Sequence, residues 1–436
     1  MDTIYALSTG PSVSGVAVIR VSGPDASAVA SLLRFDLPPP RRAAVRVLRD
    51  PDTGQHVDDA LVLFFPGPRS FTGEDIIELQ VHGSRAIVRA LLHALAALPG
   101  YRPADAGEFT RRSFLNGKMD LLDVEALGDV LQAETRAQAR LAESSRHWLR
   151  ERIAYWRESL IELRGLTEAL IDFSDEDDVL RHFDSNLQQS VLELRDSLRK
   201  AGTPAPAAEI IRDGFRVALL GAPNAGKSSL LNALARRDVA ITSEIAGTTR
   251  DVLEVHLDLD GHAVILIDTA GLRETEDRLE REGIARTHRA ASSADLRVWL
   301  EPVDGPATDP GTQIDIDLVV FTKLDLIDSL AKRPIGLAVS AQSGEGLDTL
   351  FAALGEKAKE ASWIRDGDSM LVHERQRLAL LDAAIAVEMA AGYGAEALEL
   401  RAEALRHASL ALDRLIGRIE PDQVLDVVFR RFCIGK

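Results

Sequence analysis

The chain has 436 residues, 46% of them hydrophobic, and a single cysteine. That is enough for two to four packed domains, and it excludes a disordered chain, an internal disulfide framework and a cysteine-based zinc site. Lys and Arg number 51 against 68 Asp and Glu, a net charge of −17, which excludes nucleic-acid binding by the bulk field and leaves any RNA substrate to local basic patches or a partner.

The start of the chain has no basic n-region, and Asp2 has the wrong sign for a targeting peptide. No apolar run approaches the ~18 residues of a membrane span. A soluble, cytoplasmic protein without a membrane partner is expected. Residues 15–21 (GVAVIRV), 60–65 (ALVLFF) and 76–81 (IIELQV) read as strands, and 84–98 as a helix stopped by Pro99-Gly100. Residues 1–118 are therefore expected to form one mixed α/β domain.

From 119 to 208 the apolar spacing moves to about 3.6, through Leu121, Leu131, Leu141, Trp148, Ile153, Leu160 and Leu170, and predicts long amphipathic helices. The acidic run 172–178 (DFSDEDD) is expected to separate two of them, and 201–208 (AGTPAPAA) reads as a linker. Residues 209–364 alternate strand and helix patterns, which predicts a mostly parallel sheet. Residues 365–436 return to helical periodicity at 371–391, 395–417 and 423–431. The fold class expected is multidomain α+β: an N-terminal α/β domain and a discontinuous all-α helical domain, with a Ras-like α/β P-loop domain inserted into the latter.

The insert carries the chemistry. Residues 221–228 (GAPNAGKS) fit G-x-x-x-x-G-K-[ST] between a strand (215–220) and a helix (229–236). Backbone N–H groups from Asn224, Ala225, Gly226, Ser228 and Ser229 would cradle phosphates at a helix N-terminus. Lys227 would reach the β/γ-phosphates as a catalytic cation, and the Ser228 hydroxyl would bind Mg²⁺. Asp268-Thr269-Ala270-Gly271 follows the strand 263–267 and places an acid beside that metal. Between these motifs, Gly247, Thr248 and Thr249 read as a switch, with Thr249 on the Mg²⁺. Thr322-Lys323-Leu324-Asp325 follows the strand 318–321; Asp325 can accept from N1–H and N2–H₂ of guanine, and Ser340, Ala341 and Gln342 would support the base. Five motifs in this order predict a guanine-nucleotide-binding G domain. Thr322 departs from the usual Asn. The connection 300–315 is too polar for the helix normally found there.

Leu272, directly after the DTAG motif, cannot orient water, so another group must position it and neutralise charge on the γ-phosphate. Asn224 and the segment Thr242–Thr249 resemble the potassium-dependent G proteins. That resemblance implies K⁺ contacts by Asn224, Ser243, Ile245 and Thr248, and a nucleotide-facing loop of Ser243, Glu244, Ile245, Ala246, Gly247, Thr248 and Thr249.

Three further runs lie outside the G domain: SFTGED (70–75) with ELQVHG (78–83), GEFTRR (107–112) with FLNGK (114–118), and the terminal FCIGK (432–436). With a G domain inserted between helical halves, the chain resembles the MnmE (TrmE) family of tRNA uridine-modifying GTPases along essentially its whole length. The resemblance implies a folate-binding, homodimer-forming domain at 1–118. It implies contacts from Arg20, Glu78, Lys118 and Lys436 to 5-formyltetrahydrofolate or another tetrahydrofolate derivative. It also implies Glu280 as the water-orienting glutamate, with G domains meeting across the dimer. The family acts with an FAD-carrying partner, MnmG (GidA), to place an aminomethyl or carboxymethylaminomethyl group on C5 of the wobble uridine of certain tRNAs. Cys433 is either a catalytic nucleophile or a small buried hydrophobe. Arg111, Arg112, Arg430 and Arg431 are candidates for tRNA contact. The competing readings are a ribosome-assembly GTPase, which predicts a basic RNA-binding domain, and a regulatory scaffold.

Overall fold

The computed structural model describes all residues except 1, 173–176, 238, 242–253, 269–290, 306–314, 328–332, 366–367, 372, 395–396, 418–427, 430–431, 433 and 436, with side chains of 177–186 also set aside. The chain forms two compact units, residues 1–128 with 410–436, and residues 129–409.

The first unit is built on a six-stranded sheet in the order β3-β4-β5-β2-β1-β6. Its strands are β1 (Thr3–Leu7), β2 (Ser14–Ser22), β3 (Ala44–Arg49), β4 (His56–Phe65), β5 (Ile76–Gly83) and β6 (Tyr101–Pro103). All neighbours are antiparallel except β1 and β6, whose parallel pairing requires a crossover, supplied here by the intervening chain that includes α2 (Arg85–Ala96). Alternation sets the faces: Ile19, Val21, Ile77, Leu79, Val81, Ala60 and Val62 share one core, with Leu91 and Leu95 of α2 and Val29 of α1 (Ala28–Leu32). Helix α3 (Glu108–Leu115) follows β6, and α4 (Leu121–Gln132) opens next. The chain end returns to this unit: Phe429 and Phe432 pack on Leu121 and Val124, and Ile434 bridges Ala106.

In the second unit, α5 (Arg136–Asp172) buries Leu149, Ile153, Trp156, Leu160 and Leu163 along one stripe, the i, i+3/i+4 spacing that a helix turns inward. A Thr135-x-x-Gln138 capping box starts it, with Gln138 Oε1 accepting from the N–H of Glu134 and Thr135 at 2.8 and 3.0 Å. The next helix, α6 (Asp177–Ala201), packs against α10 (Glu374–Gly392): Gln188 Nε2 donates to the Ala391 carbonyl at 2.5 Å, and Arg199 meets Glu388. Segments before and after the residues 215–361 thus pair. The run 201–208 is not all linker, because Pro206 opens α7 (Pro206–Asp213) in its first turn, where a missing N–H costs nothing.

The sheet between them runs β12-β11-β10-β7-β9-β8, parallel except for the β8/β9 hairpin. Its strands are β7 (Phe215–Leu220), β8 (Glu254–Leu259), β9 (His262–Asp268), β10 (Leu296–Pro302), β11 (Leu318–Thr322) and β12 (Leu337–Ala338). Helices α8 (Lys227–Ala235) and α9 (Leu347–Ala361) cover it, burying Leu230, Leu234, Leu350 and Leu354 against Val217, Leu266 and Val298. This topology agrees with the parallel sheet expected from the sequence. The expected shortening of the 300–315 connection falls mostly outside the described residues. Helix α11 (Leu398–Leu415) completes the list. None of the described helices is long and apolar enough to cross a membrane.

Candidate nucleotide-binding site

Strand β7 ends at Leu220, and the loop that follows passes so close to β10 that a Cβ on Gly221 would lie 2.7 Å from the Leu300 carbonyl oxygen. Only glycine fits there. The loop then needs a left-handed turn at Asn224 (φ 64°), which asparagine tolerates better than most residues, and again at Gly226 (φ 92°), which precedes the first turn of α8. The loop's N–H groups and the helix N-terminus so converge on one edge of a cleft of about 700 Å³.

Lys227 is 8% exposed. Burial pushes its ammonium below the ordinary lysine range, with Asp268 acting in the opposite sense. Its Nζ donates to the carbonyls of Gly221 and Ala222 at 2.7 and 3.0 Å, so the charge is held inside the loop that wraps it. Ser228 Oγ donates to Asp268 Oδ2 at 2.8 Å, joining the start of α8 to the end of β9. Two hard oxygens at that spacing suit Mg²⁺, which takes few protein ligands and completes its shell with water and phosphate. Among the described residues there is no cluster of three or more His, Cys, Asp or Glu.

On the opposite edge Thr322 is buried, and its Oγ1 donates to the Ala225 carbonyl at 2.6 Å. The hydroxyl therefore ties the base-binding motif to the phosphate loop. Lys323 (φ 62°) turns the chain so that its Nζ lies 2.9 Å from both oxygens of Asp304. Asp325 accepts from Ser340 Oγ at 2.5 Å, and Ser340 in turn accepts from the N–H of Gln342 and Ser343. A carboxylate fixed in this way presents its remaining acceptor capacity to a ring with two adjacent N–H donors, the pattern of guanine. Ala341, Gln342, Val339 and Leu326 line the same end.

The structure thus brings together Asn224, Ala225, Gly226, Lys227, Ser228, Ser229, Thr322, Lys323, Asp325, Ala341 and Gln342 around one cleft, with Asp268 and Ser340 bonded to members of it. Asp304 is the residue that sequence reasoning missed. It stands just after β10 with no motif around it, and only the β10/β11 pairing places it beside Lys323. Ser243, Glu244, Ile245, Ala246, Gly247, Thr248, Thr249, Thr269, Ala270, Gly271 and Glu280 lie outside the described residues.

A second grouping sits in the first unit. Arg20 and Glu78 face each other across β2 and β5, with the guanidinium 2.8 Å from the carboxylate and both side chains about one-fifth exposed. The Arg20 guanidinium carbon lies 5.7 Å from the ring centres of both Phe71 and Phe109. Ser8 Oγ donates to the Gly435 carbonyl at 3.1 Å, so the end of the chain reaches the strand paired with Arg20. Lys118 is exposed just after α3; Lys436 and Cys433 lie outside the described residues, as do Arg430 and Arg431. Arg112 requires a correction. It is not an RNA-facing cation but 8% exposed, bonded to Asp2, Glu74 and Glu108 at 2.9–3.1 Å, a charge already neutralised.

Residues 3–118 match the family model described as the GTP-binding protein TrmE N-terminus, and residues 121–433 match that of the MnmE helical domain. The chain belongs to the MnmE family. It is 48% identical to the tRNA modification GTPase MnmE of Azorhizobium caulinodans, over all of this chain and 99% of that one. Identity is 46% with the protein of the same name from Beijerinckia indica (100% and 96% covered) and 45% with that of Rhodospirillum rubrum (100% of each). Among solved structures, Era of Aquifex aeolicus bound to GDP.AlF4- covers 40% of this chain and 67% of its own at 22% identity and a TM-score of 0.26. As an MnmE-family member the chain is a GTP hydrolase of tRNA modification.

Proposed function

We propose that this GTPase works in the cytoplasm with an FAD-dependent partner of the MnmG type to install an aminomethyl or carboxymethylaminomethyl group on C5 of the wobble uridine of certain tRNAs, using a tetrahydrofolate one-carbon unit. The observation that supports it most is the pairing of two sites in one chain: the guanine-type cleft at 221–228 and 322–342, and the Arg20–Glu78 grouping that the returning chain end approaches. We divide the chain into an N-terminal folate-binding and dimerising domain (1–118), a helical domain (119–208 with 365–436) and the G domain (209–364).

The second grouping fits a folate. A pterin offers adjacent N–H donors to the Glu78 carboxylate, carbonyl and ring-nitrogen acceptors to the Arg20 guanidinium 2.8 Å from it, and a flat ring to the partly exposed Phe71, while the glutamyl tail offers carboxylates to Lys118 and Lys436. When bound, the folate supplies the carbon that is transferred; the protein's share is to orient it. Calorimetry with 5-formyltetrahydrofolate tests this. Glu78→Ala should weaken binding about tenfold or more, as expected for a lost hydrogen bond to a charged group; unchanged affinity contradicts the assignment.

In the G domain, Lys227 and the loop N–H groups hold the phosphates, Ser228 with Asp268 and Thr249 surrounds the Mg²⁺ position, and Asp325 selects guanine. Of the residues assigned to K⁺, only Asn224 is described; it lines the cleft at the phosphate loop. Potassium held there would supply positive charge beside the γ-phosphate, which Leu272 cannot, with Glu280 positioning water once two G domains of the homodimer meet. Turnover should be severalfold faster in KCl than in NaCl, and equal rates contradict the potassium role.

A further inference from the structure

Between α5 and α6 lies a cleft of about 340 Å³ that takes no part in the nucleotide chemistry above. Trp148, Arg152 and Trp156 recur every four residues along α5 and so share a face. Trp156 is wholly buried, and its indole N–H donates to Ser197 Oγ at 2.9 Å, which fixes the floor. Trp148 is half-buried at the wall, and Arg152 and Lys200 are exposed at the rim. Neither of these cations has a carboxylate partner among the described residues. Asp196, the acid of the cleft, is already engaged by Arg195 at 2.7 Å. An indole flanked by two uncommitted cations, in a protein of net charge −17, is a local basic and aromatic patch of the kind that can hold RNA despite the bulk field.

We propose that this cleft binds one unstacked nucleotide, with its base stacked on Trp148 and its phosphate held by Arg152 and Lys200, and that the nucleotide belongs to the tRNA. The volume lies at the small end of ligand sites and suits one nucleotide rather than a helix groove. An indole face accepts any base, while Arg and Lys supply the phosphate contacts that position RNA. The inference rests on the tRNA reading above and deepens it by naming where the RNA touches this chain.

The test uses the full-length protein saturated with GDP, so that the G-domain cleft is filled. Tryptophan fluorescence and binding are read with substrate tRNA in one arm and free uridine monophosphate in the other, for the parent, Trp148→Leu and Arg152→Glu/Lys200→Glu. Unchanged GTP turnover in both variants shows that they fold. tRNA quenching that Trp148→Leu removes, with tRNA binding about 5- to 100-fold weaker in both variants, supports the proposal with RNA as the source. Quenching by micromolar uridine monophosphate, with tRNA affinity unmoved, supports the nucleotide site with a free nucleotide as its source. Variants that bind tRNA as the parent does, with no quenching by either probe, overturn the cleft while leaving the tRNA reading intact. Loss of affinity for the FAD-dependent partner alone overturns it too, because the cleft is then a protein-docking surface. A parent that binds neither probe overturns the cleft, and the tRNA reading is then decided by modification in the presence of the FAD-dependent partner.

Discussion

Thr322 stands where guanine-binding folds usually carry asparagine, and its Oγ1 bond to the Ala225 carbonyl keeps the link to the phosphate loop that a longer amide would otherwise make. Discrimination then falls on Asp325, held in place by Ser340. Asp325→Asn replaces an acceptor with a donor, which suits the carbonyl of xanthine and not the amine of guanine. Affinity for GDP should fall about 10- to 100-fold while that for xanthosine diphosphate rises. Fluorescence titration with both nucleotides reads it, and an unchanged preference would show that the base is read elsewhere. Phosphate-loop chemistry was legible in the sequence because a local spacing, GAPNAGKS, encodes it. Asp304 was not, since its pairing with Lys323 depends on strand neighbours.

At the scale of elements, α3 is anchored by charge. Arg102 reaches Asp2 and Glu108, and Arg112 reaches Asp2, Glu74 and Glu108, binding the chain start, the loop before β5 and the helix together. From the sequence, Arg111-Arg112 looks like a basic surface, because the acids that neutralise Arg112 include Glu74 and Asp2, 38 and 110 residues away. Burial acts to raise the Glu108 pKa, but bonds from Arg102, the Asp105 N–H and Arg112 outweigh it, and the carboxyl sits below its ordinary range. A carboxylate depressed on folding contributes stability that is complete above its unfolded value, near 4.5, and is lost as the pH falls through the folded value. Glu108→Gln should therefore lower stability by about 1.5–3 kcal/mol at pH 7 and narrow its gap to the parent as the pH drops below about 4.5. Thermal unfolding from pH 7 to pH 3 measures this; a gap that stays constant would remove the ionic account. Strands β3 and β6 illustrate what pattern reading overlooks: β3 is an edge strand with exposed valines, and β6 is three residues ending in proline, stabilised by its parallel neighbour β1. The helix α7 was hidden for another reason, since its first-turn proline and alanines have the composition of a linker.

Across the whole molecule, chemistry from distant parts of the chain converges. The last described residues return to β1 near Arg20, and segments on either side of the G domain pair as α6 and α10. On the proposed reading, the −17 charge leaves much of the tRNA contact to a partner, with uncommitted cations such as Arg152 and Lys200 available for one local contact. The most direct measurement is reconstitution. The purified chain, its FAD-dependent partner, a tetrahydrofolate derivative, GTP and K⁺ are mixed with tRNA from a strain lacking this protein, and the wobble uridine is read by mass spectrometry. A C5 aminomethyl or carboxymethylaminomethyl group that forms in the complete mixture, and fails to form with Lys227→Ala in place of the parent, is the predicted result. Unmodified uridine in the complete mixture, beside normal GTP turnover, would contradict the account.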